Sequence, residues 1–114
     1  MINLKSVSEL EQTLREKKRP VVLFKHSTQC PISAAADEEF RTFVDSHPDA
    51  AVFAHLDLLA HRDVSKAIAE KLGVTHESPQ AIVIKGGKVS GVLNHHEITG
   101  EAIDSMLRDS SSPS

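Results

Sequence analysis

The sequence has a single cysteine, Cys30, in 114 residues, and neither tryptophan nor tyrosine. One cysteine excludes an internal disulfide. It therefore excludes a disulfide-stapled secreted scaffold and any two-cysteine redox pair within the chain. No apolar run approaches ~18 residues, so nothing reads as a membrane-spanning helix. The N-terminus lacks the basic–apolar–small layout of a signal peptide, and the cytoplasm is the expected compartment. Positive charge is not in excess: 13 Lys and Arg stand against 16 Asp and Glu, a net charge of −3. That argues against a broad nucleic-acid surface. Protonating the seven histidines would reverse the sign, which predicts poor solubility in mild acid rather than a function. The composition that remains, 39% apolar and 25% charged, is that of an ordinary globular chain. It suffices for one domain with one sizeable core, expected over residues 1–108, with a serine-rich frayed tail at 109–114.

Hydrophobic periodicity orders the elements. Val7, Leu10 and Leu14 form one helical stripe, and Ser6 with Glu9 has the capping-box pattern. This helix is expected to run to Pro20, with Lys17, Lys18 and Arg19 favouring its C-terminal dipole. Val21–Phe24 is a continuous run of β-formers, the mark of a strand covered on both faces. Polar residues from Lys25 to Gln29 make a loop. A helix follows over about Pro31–Ser46, with proline well placed at its first position and Phe40, Phe43 and Val44 on its buried stripe. A strand over Ala51–Leu58 leads to a helix over Arg62–Leu72, with Gly73 at the C-cap. Ala81–Ile84 is a strand, Gly86-Gly87 a hairpin turn, and Lys88–Asn94 the return strand. Thr99–Leu107 is the last helix, with Ile98 and Ile103 packing as a staple. The order α-β-α-β-α-β-β-α predicts an α/β fold: a mixed four-stranded sheet flanked by helices, with an extra N-terminal helix.

Cys30 stands where a buried strand gives way to a helix start. Unsatisfied N–H groups and the positive end of the dipole favour an anion there, and the thiolate is the reactive form of cysteine. The amides of Ile32 and Ser33 are placed to face the sulfur, and the Ser33 hydroxyl is a further donor. Lys25 and His26 add positive or titratable groups nearby.

The segment Cys30-Pro31-Ile32-Ser33 at a helix start, followed by Pro79 ahead of a glycine hairpin, resembles the thioredoxin superfamily over nearly the whole chain. In that superfamily the corresponding proline is cis and lies beside the cysteine. The resemblance implies that the Ser78 backbone is open to an extended substrate. The chain departs from dithiol members, because Ser33 stands where the second cysteine would be and no tryptophan precedes Cys30. It also differs from monothiol glutaredoxins, which carry Cys-Gly-Phe-Ser. The decapeptide Phe24-Lys25-His26-Ser27-Thr28-Gln29-Cys30-Pro31-Ile32-Ser33 is similar to that of the monothiol bacilliredoxins, single-domain proteins of the bacillithiol system. This implies a monothiol thiol–disulfide oxidoreductase that removes bacillithiol from protein mixed disulfides. Cys30 is the expected nucleophile, and Pro31, Ile32 and Ser33 are expected to stabilise its thiolate. Lys25, His26, Thr28, Gln29, Ser78 and Pro79 are expected to bind the thiol. Bacillithiol would be a co-substrate, with no tightly bound cofactor and no metal. The partners would be bacillithiolated proteins and bacillithiol itself, without nucleic acid or membrane, and the chain is expected to be a monomer.

Two other classes fit the same residues. A single cysteine in such a fold also suits a glutaredoxin-like iron–sulfur carrier, and the fold without activated sulfur suits a non-catalytic binding module. Elsewhere the residues read as structural. His95, His96 and Glu97, with or without His76, do not form a metal set, because neighbours on a strand point to opposite faces. His55 reads as a core-edge histidine with a local hydrogen bond, His47 as a helix-end residue, and Asp37, Glu38 and Glu39 as a solvated helix face. Ser27 beside His26 is no evidence of a catalytic triad.

Overall fold

A computed structural model describes residues 1–108; the expected tail at 109–114 lies outside the described residues. The elements are β1 (Ile2–Asn3), α1 (Val7–Leu14), β2 (Val21–His26), α2 (Pro31–Ser46), β3 (Val52–Asp57), α3 (Arg62–Leu72), β4 (Gln80–Lys85), β5 (Lys88–Asn94), a 3₁₀ turn (His95–Glu97) and α4 (Gly100–Arg108). The sheet order is β1-β3-β2-β4-β5. β1 and β2 run parallel to β3, and β4 runs antiparallel to both β2 and β5.

The sheet therefore has five strands where four were expected. The additional strand, β1, is two residues long, and both are exposed. It has no apolar alternation to reveal it, and pairing with β3 alone makes it a strand. The first helix also ends earlier than expected, at Leu14 with Arg15 as its cap. Lys17, Lys18 and Arg19 thus lie beyond the helix rather than on its last turn. Half of the expected capping box is present: Ser6 Oγ accepts from the Glu9 amide at 3.1 Å, but the Glu9 carboxylate accepts from Lys5 N rather than from Ser6.

The remaining boundaries follow local chemistry. Gly73 takes φ 64° at the end of α3, and Gly86 and Gly87 take φ 59° and 82° in the β4–β5 turn, backbone that glycine adopts most readily. Thr99 caps α4, its Oγ1 accepting from Ala102 N at 3.0 Å.

Alternation along β2 divides the core. Val21 and Leu23 join Leu10 of α1 and Val64 and Ile68 of α3 on one face. Val22 and Phe24 join Ala36, Phe40 and Phe43 of α2 and Ile103 of α4 on the other. Ile98 belongs to that second cluster with Ile103, so the expected staple is formed. The result is three layers, with α1 and α3 on one side of the sheet and α2 and α4 on the other.

Candidate functional site

The site is assembled by three segments that meet at one end of the sheet. β2 ends at His26 and leads through residues 27–29 to Cys30. Its antiparallel neighbour β4 begins at Gln80, which registers with Lys25, so Pro79 emerges at the same end. The Ser78–Pro79 peptide is cis, as the family resemblance implied. The end of β3 joins them through a hydrogen bond from Leu58 N to His26 O at 3.0 Å.

Cys30 is the N-cap residue of α2, with extended backbone and no side-chain cap hydrogen bond, and Pro31 opens the helix. Its thiol is free and half-buried. Its amide donates to Ser27 O at 3.3 Å, and its carbonyl accepts from Ala34 N at 3.0 Å. The cysteine backbone is thus fixed on both sides, and the residue stands at the N-cap of a 16-residue helix whose N-terminal dipole favours an anion. Ile32 is exposed beside it, as are Thr28 and Gln29 in the preceding loop.

Ser33 occupies a different place from the one expected. Its side chain is fully buried. Its Oγ accepts from Ser27 N at 2.9 Å and meets His26 Nδ1 at 2.8 Å. The hydroxyl fastens the Cys30 loop to the end of β2 rather than donating to the sulfur. An oxygen suits this position, because it accepts a buried amide far better than a sulfur does.

Behind His26 lies a polar network that the sequence did not reveal. His55 Nε2 lies 2.7 Å from Asp37 Oδ1, and Arg41 Nε donates to Asp37 Oδ2 at 2.9 Å. The His26 and His55 rings stand 5.5 Å apart, and Phe24 stacks on Phe40 at 4.9 Å and touches both histidines. Asp37 is therefore not part of a solvated face. Burial pushes its carboxyl up, but hydrogen bonds from Arg41 and His55 outweigh that and hold it below the ordinary carboxylate range. Burial pushes the His55 imidazole down, against a partial upward pull from Asp37. The His55 partner is 18 residues away in sequence, so the bond is not local. The only sequence signal for the network is the i,i+4 spacing of Asp37 and Arg41. Glu39 is likewise engaged, accepting from Gly100 N at 2.9 Å at the start of α4.

Lys25 departs furthest from expectation. The sequence places it in a loop as a thiol-binding residue, whereas it lies in β2 and is completely buried. Its Nζ has no hydrogen-bond partner, as is true of Gln80 Oε1 and Ser78 Oγ. Burial pushes the Lys25 ammonium down to about 8, against an upward pull from the Glu77 carboxylate. His76 is lowered in turn, by burial and by the Lys25 charge. His95 is in a turn beside the cis-proline: its amide donates to Pro79 O at 3.0 Å and its Nε2 lies 3.2 Å from Glu77. Among the described residues no helix is long and apolar enough to cross a membrane.

A lone cysteine at a helix N-terminus, a cis-proline at the same sheet end and this strand order define a thioredoxin-fold protein with a monothiol site. Solved structures agree. A proposed oxidoreductase with a thioredoxin fold superposes with a TM-score of 0.84 at 34% identity, covering 92% of this chain and 91% of that one. Thioredoxin from Fasciola hepatica superposes at 0.74 with 20% identity, covering 94% and 96%. Mitochondrial thioredoxin 3 from Saccharomyces cerevisiae superposes at 0.71 with 19% identity, covering 96% and 94%. The last two share the fold. The family model described as "Monothiol bacilliredoxin BrxC" matches residues 2–103, and the chain belongs to that family.

Proposed function

We propose that the protein is a thiol–disulfide exchange enzyme that removes bacillithiol from protein mixed disulfides. The observation that carries this reading is the placement of Cys30. It is the sole cysteine, its half-buried thiol caps the N-terminus of α2, and Ser33 stands where a second thiol would resolve an adduct. Membership of the bacilliredoxin family supports the choice of thiol.

The Cys30 thiolate attacks the bacillithiol-side sulfur of the mixed disulfide. A new S–S bond forms to Cys30, the old bond breaks, and its electron pair leaves with the protein sulfur, which takes a proton from water. A second bacillithiol thiolate then attacks the bacillithiol sulfur of the adduct. Bacillithiol disulfide departs and the Cys30 thiolate is regenerated. Bacillithiol is thus a co-substrate and partner, alongside the bacillithiolated protein, and the cytoplasm is the compartment in which such chemistry belongs.

In this reading Pro31 and Ile32 shape the first turn of α2 around the sulfur. Thr28 and Gln29 present exposed polar groups to the thiol, and the Ser78 backbone beside Pro79 pairs with the substrate chain. His26 and Ser33 hold the loop. Lys25 acts through its field from beneath the surface rather than by contact with a carboxylate.

The test is intact mass after the reduced protein meets oxidised bacillithiol and, separately, oxidised glutathione. The expected outcome is one adduct, formed faster with bacillithiol and lost in Cys30→Ser with the fold retained. Equal slow reaction with both, at the rate of an unactivated thiol, would reject the enzyme and favour a binding module.

A further inference from the structure

β5 ends at Asn94, which registers with Gln80 of β4, so the turn that follows lies beside Glu77, Ser78 and Pro79. That turn is pinned at both ends. Asn94 Oδ1 accepts from Gln80 Nε2 at 3.0 Å, and Glu97 Oε1 accepts from Asn94 N at 2.8 Å. Ile98, just after the turn, is buried in the core on the α2–α4 side. Between these anchors His95 takes φ 53°, the only positive φ of a non-glycine residue among the described residues. The backbone alone would favour glycine there. Nor does packing account for the side chain, which is 45% exposed. What the imidazole adds is a bond: Nε2 lies 3.2 Å from Glu77 Oε1, and a carboxylate only accepts, so the ring N–H is the donor. The His95 amide donates in turn to Pro79 O at 3.0 Å. One residue therefore grips both ends of Glu77-Ser78-Pro79, while Ser78 Oγ in the middle makes no hydrogen bond.

We infer that His95 is a positioning residue for the substrate chain: its amide and its ring hold the segment whose middle residue, Ser78, pairs with an extended peptide. This rests on the proposed function and adds what sets the geometry of its docking edge. A backbone edge binds an extended peptide through main-chain hydrogen bonds, and those bonds form at least cost when the edge is already fixed. The turn supplies that rigidity from the core, through Ile98, and from the sheet, through Asn94 and Gln80. The consequence is selective. A substrate that carries a peptide chain depends on the grip, whereas a small disulfide without an extended chain meets Cys30 without it.

The test measures single-turnover release of the thiol from a short peptide in mixed disulfide with bacillithiol, beside the rate of adduct formation with oxidised bacillithiol. His95→Gly keeps the left-handed backbone and the amide. In it the half-saturating peptide concentration is expected to rise about fivefold, the effect of one hydrogen bond, with the maximal rate kept. The rate with oxidised bacillithiol is expected to stay at the wild-type value. Glu77→Ala is expected to match His95→Gly, and the double variant to be no worse than either, because both changes break the same bond. Glu77→Gln, whose amide oxygen still accepts from the ring, is expected to retain the wild-type value. Equal losses on both disulfides would mean a general structural role. Additive losses, or a Glu77→Gln as impaired as Glu77→Ala, would place the effect outside the bond. Each of these overturns the inference, as does an unchanged half-saturation in His95→Gly. Should His95→Gly fail to fold, Glu77→Ala breaks the bond from its other side and is held to the same outcomes. A wild-type protein that exchanges with neither disulfide rejects the proposed function and the inference with it. One that exchanges with both, and shows no difference between them in His95→Gly, rejects the inference alone.

Discussion

On the α2–α4 face of the sheet the titratable groups of the network behind His26 have partners: Asp37 has Arg41 and His55, and His26 has Ser33. On the α1–α3 face one group, Lys25, is more deeply buried than any of these and its Nζ has none. The difference shows in the packing around them. The first face builds its network among stacked rings from Phe24, Phe40 and His55, which hold polar side chains in register. The second is largely aliphatic, from Leu10, Leu23 and Leu56 to Ile68 and Ile82, and the Lys25 Nζ makes no hydrogen bond there. A partnered network organises the reactive end, whereas an unpartnered charge lowers stability. The lesson is that burial alone does not indicate what a polar residue does; its partners do.

Four substitutions test that contrast, in order of expected effect. Phe24→Ala on the partnered face removes the ring that packs on Phe40 and both histidines. It is expected to lower stability by about 3–5 kcal/mol in chemical denaturation, and to loosen His26 and His55 together. A loss no larger than that of a surface substitution would mean that the rings do not hold the network.

Lys25→Met on the unpartnered face is expected to raise stability at neutral pH by about 3 kcal/mol, the equivalent of the lysine's displacement from 10.5 to about 8. The pH dependence has a definite sign. Between pH 8 and 10.5 the unfolded chain binds the proton and the folded chain does not, so wild-type stability rises with pH across that window. The difference between wild type and Lys25→Met should shrink over the same range. A difference that stays constant with pH would place the effect in packing rather than in charge.

Asp37→Asn is expected to cost about 1–3 kcal/mol at neutral pH by weakening the hydrogen bonds to His55 and Arg41. Asp37 is held below its ordinary range, so its contribution is present above the unfolded carboxylate value and is lost as pH falls through the folded one. The variant should therefore lose part of the acid sensitivity of the wild type below about pH 4. Thermal melts of both proteins across pH 2–7 would measure it, and parallel curves would contradict it.

Gly87→Ala, away from both faces, is the smallest. With φ 82° an L side chain is strained there, and a loss of about 1 kcal/mol is expected. A Cβ would also meet the far end of the Lys17 side chain, which can swing away. A loss comparable to that of Phe24→Ala would mean that the hairpin, rather than the packed faces, limits stability.

Much of this arrangement was legible in the residues. The bounds of α2, α3 and β5 follow Pro31, Gly73 and the Gly86-Gly87 turn, because proline and glycine restrict the backbone locally. Cys30 at a helix start was legible for the same reason. β1 was not, since a two-residue exposed edge has no periodicity. The early end of α1 was hidden because Lys17, Lys18 and Arg19 are compatible with helix and with loop alike. Lys25 was misplaced because a lysine after an apolar run reads as the end of a strand, whereas pairing with both Leu56 and Gln80 carries the strand past it.

Short-range chemistry in the sequence therefore determined the alternation of strands and helices, the turns, and a single thiol at the start of a helix. Pairings between distant segments decided the rest. They brought β1 to β3, joined His55 to Asp37 across 18 residues, turned Ser33 into the fastener of the Cys30 loop, and enclosed Lys25 without a partner. Helix caps and turns depend on neighbours within a few residues, so they can be read along the chain. A buried hydrogen bond depends on which surfaces the whole core brings together, and only the folded structure settles that.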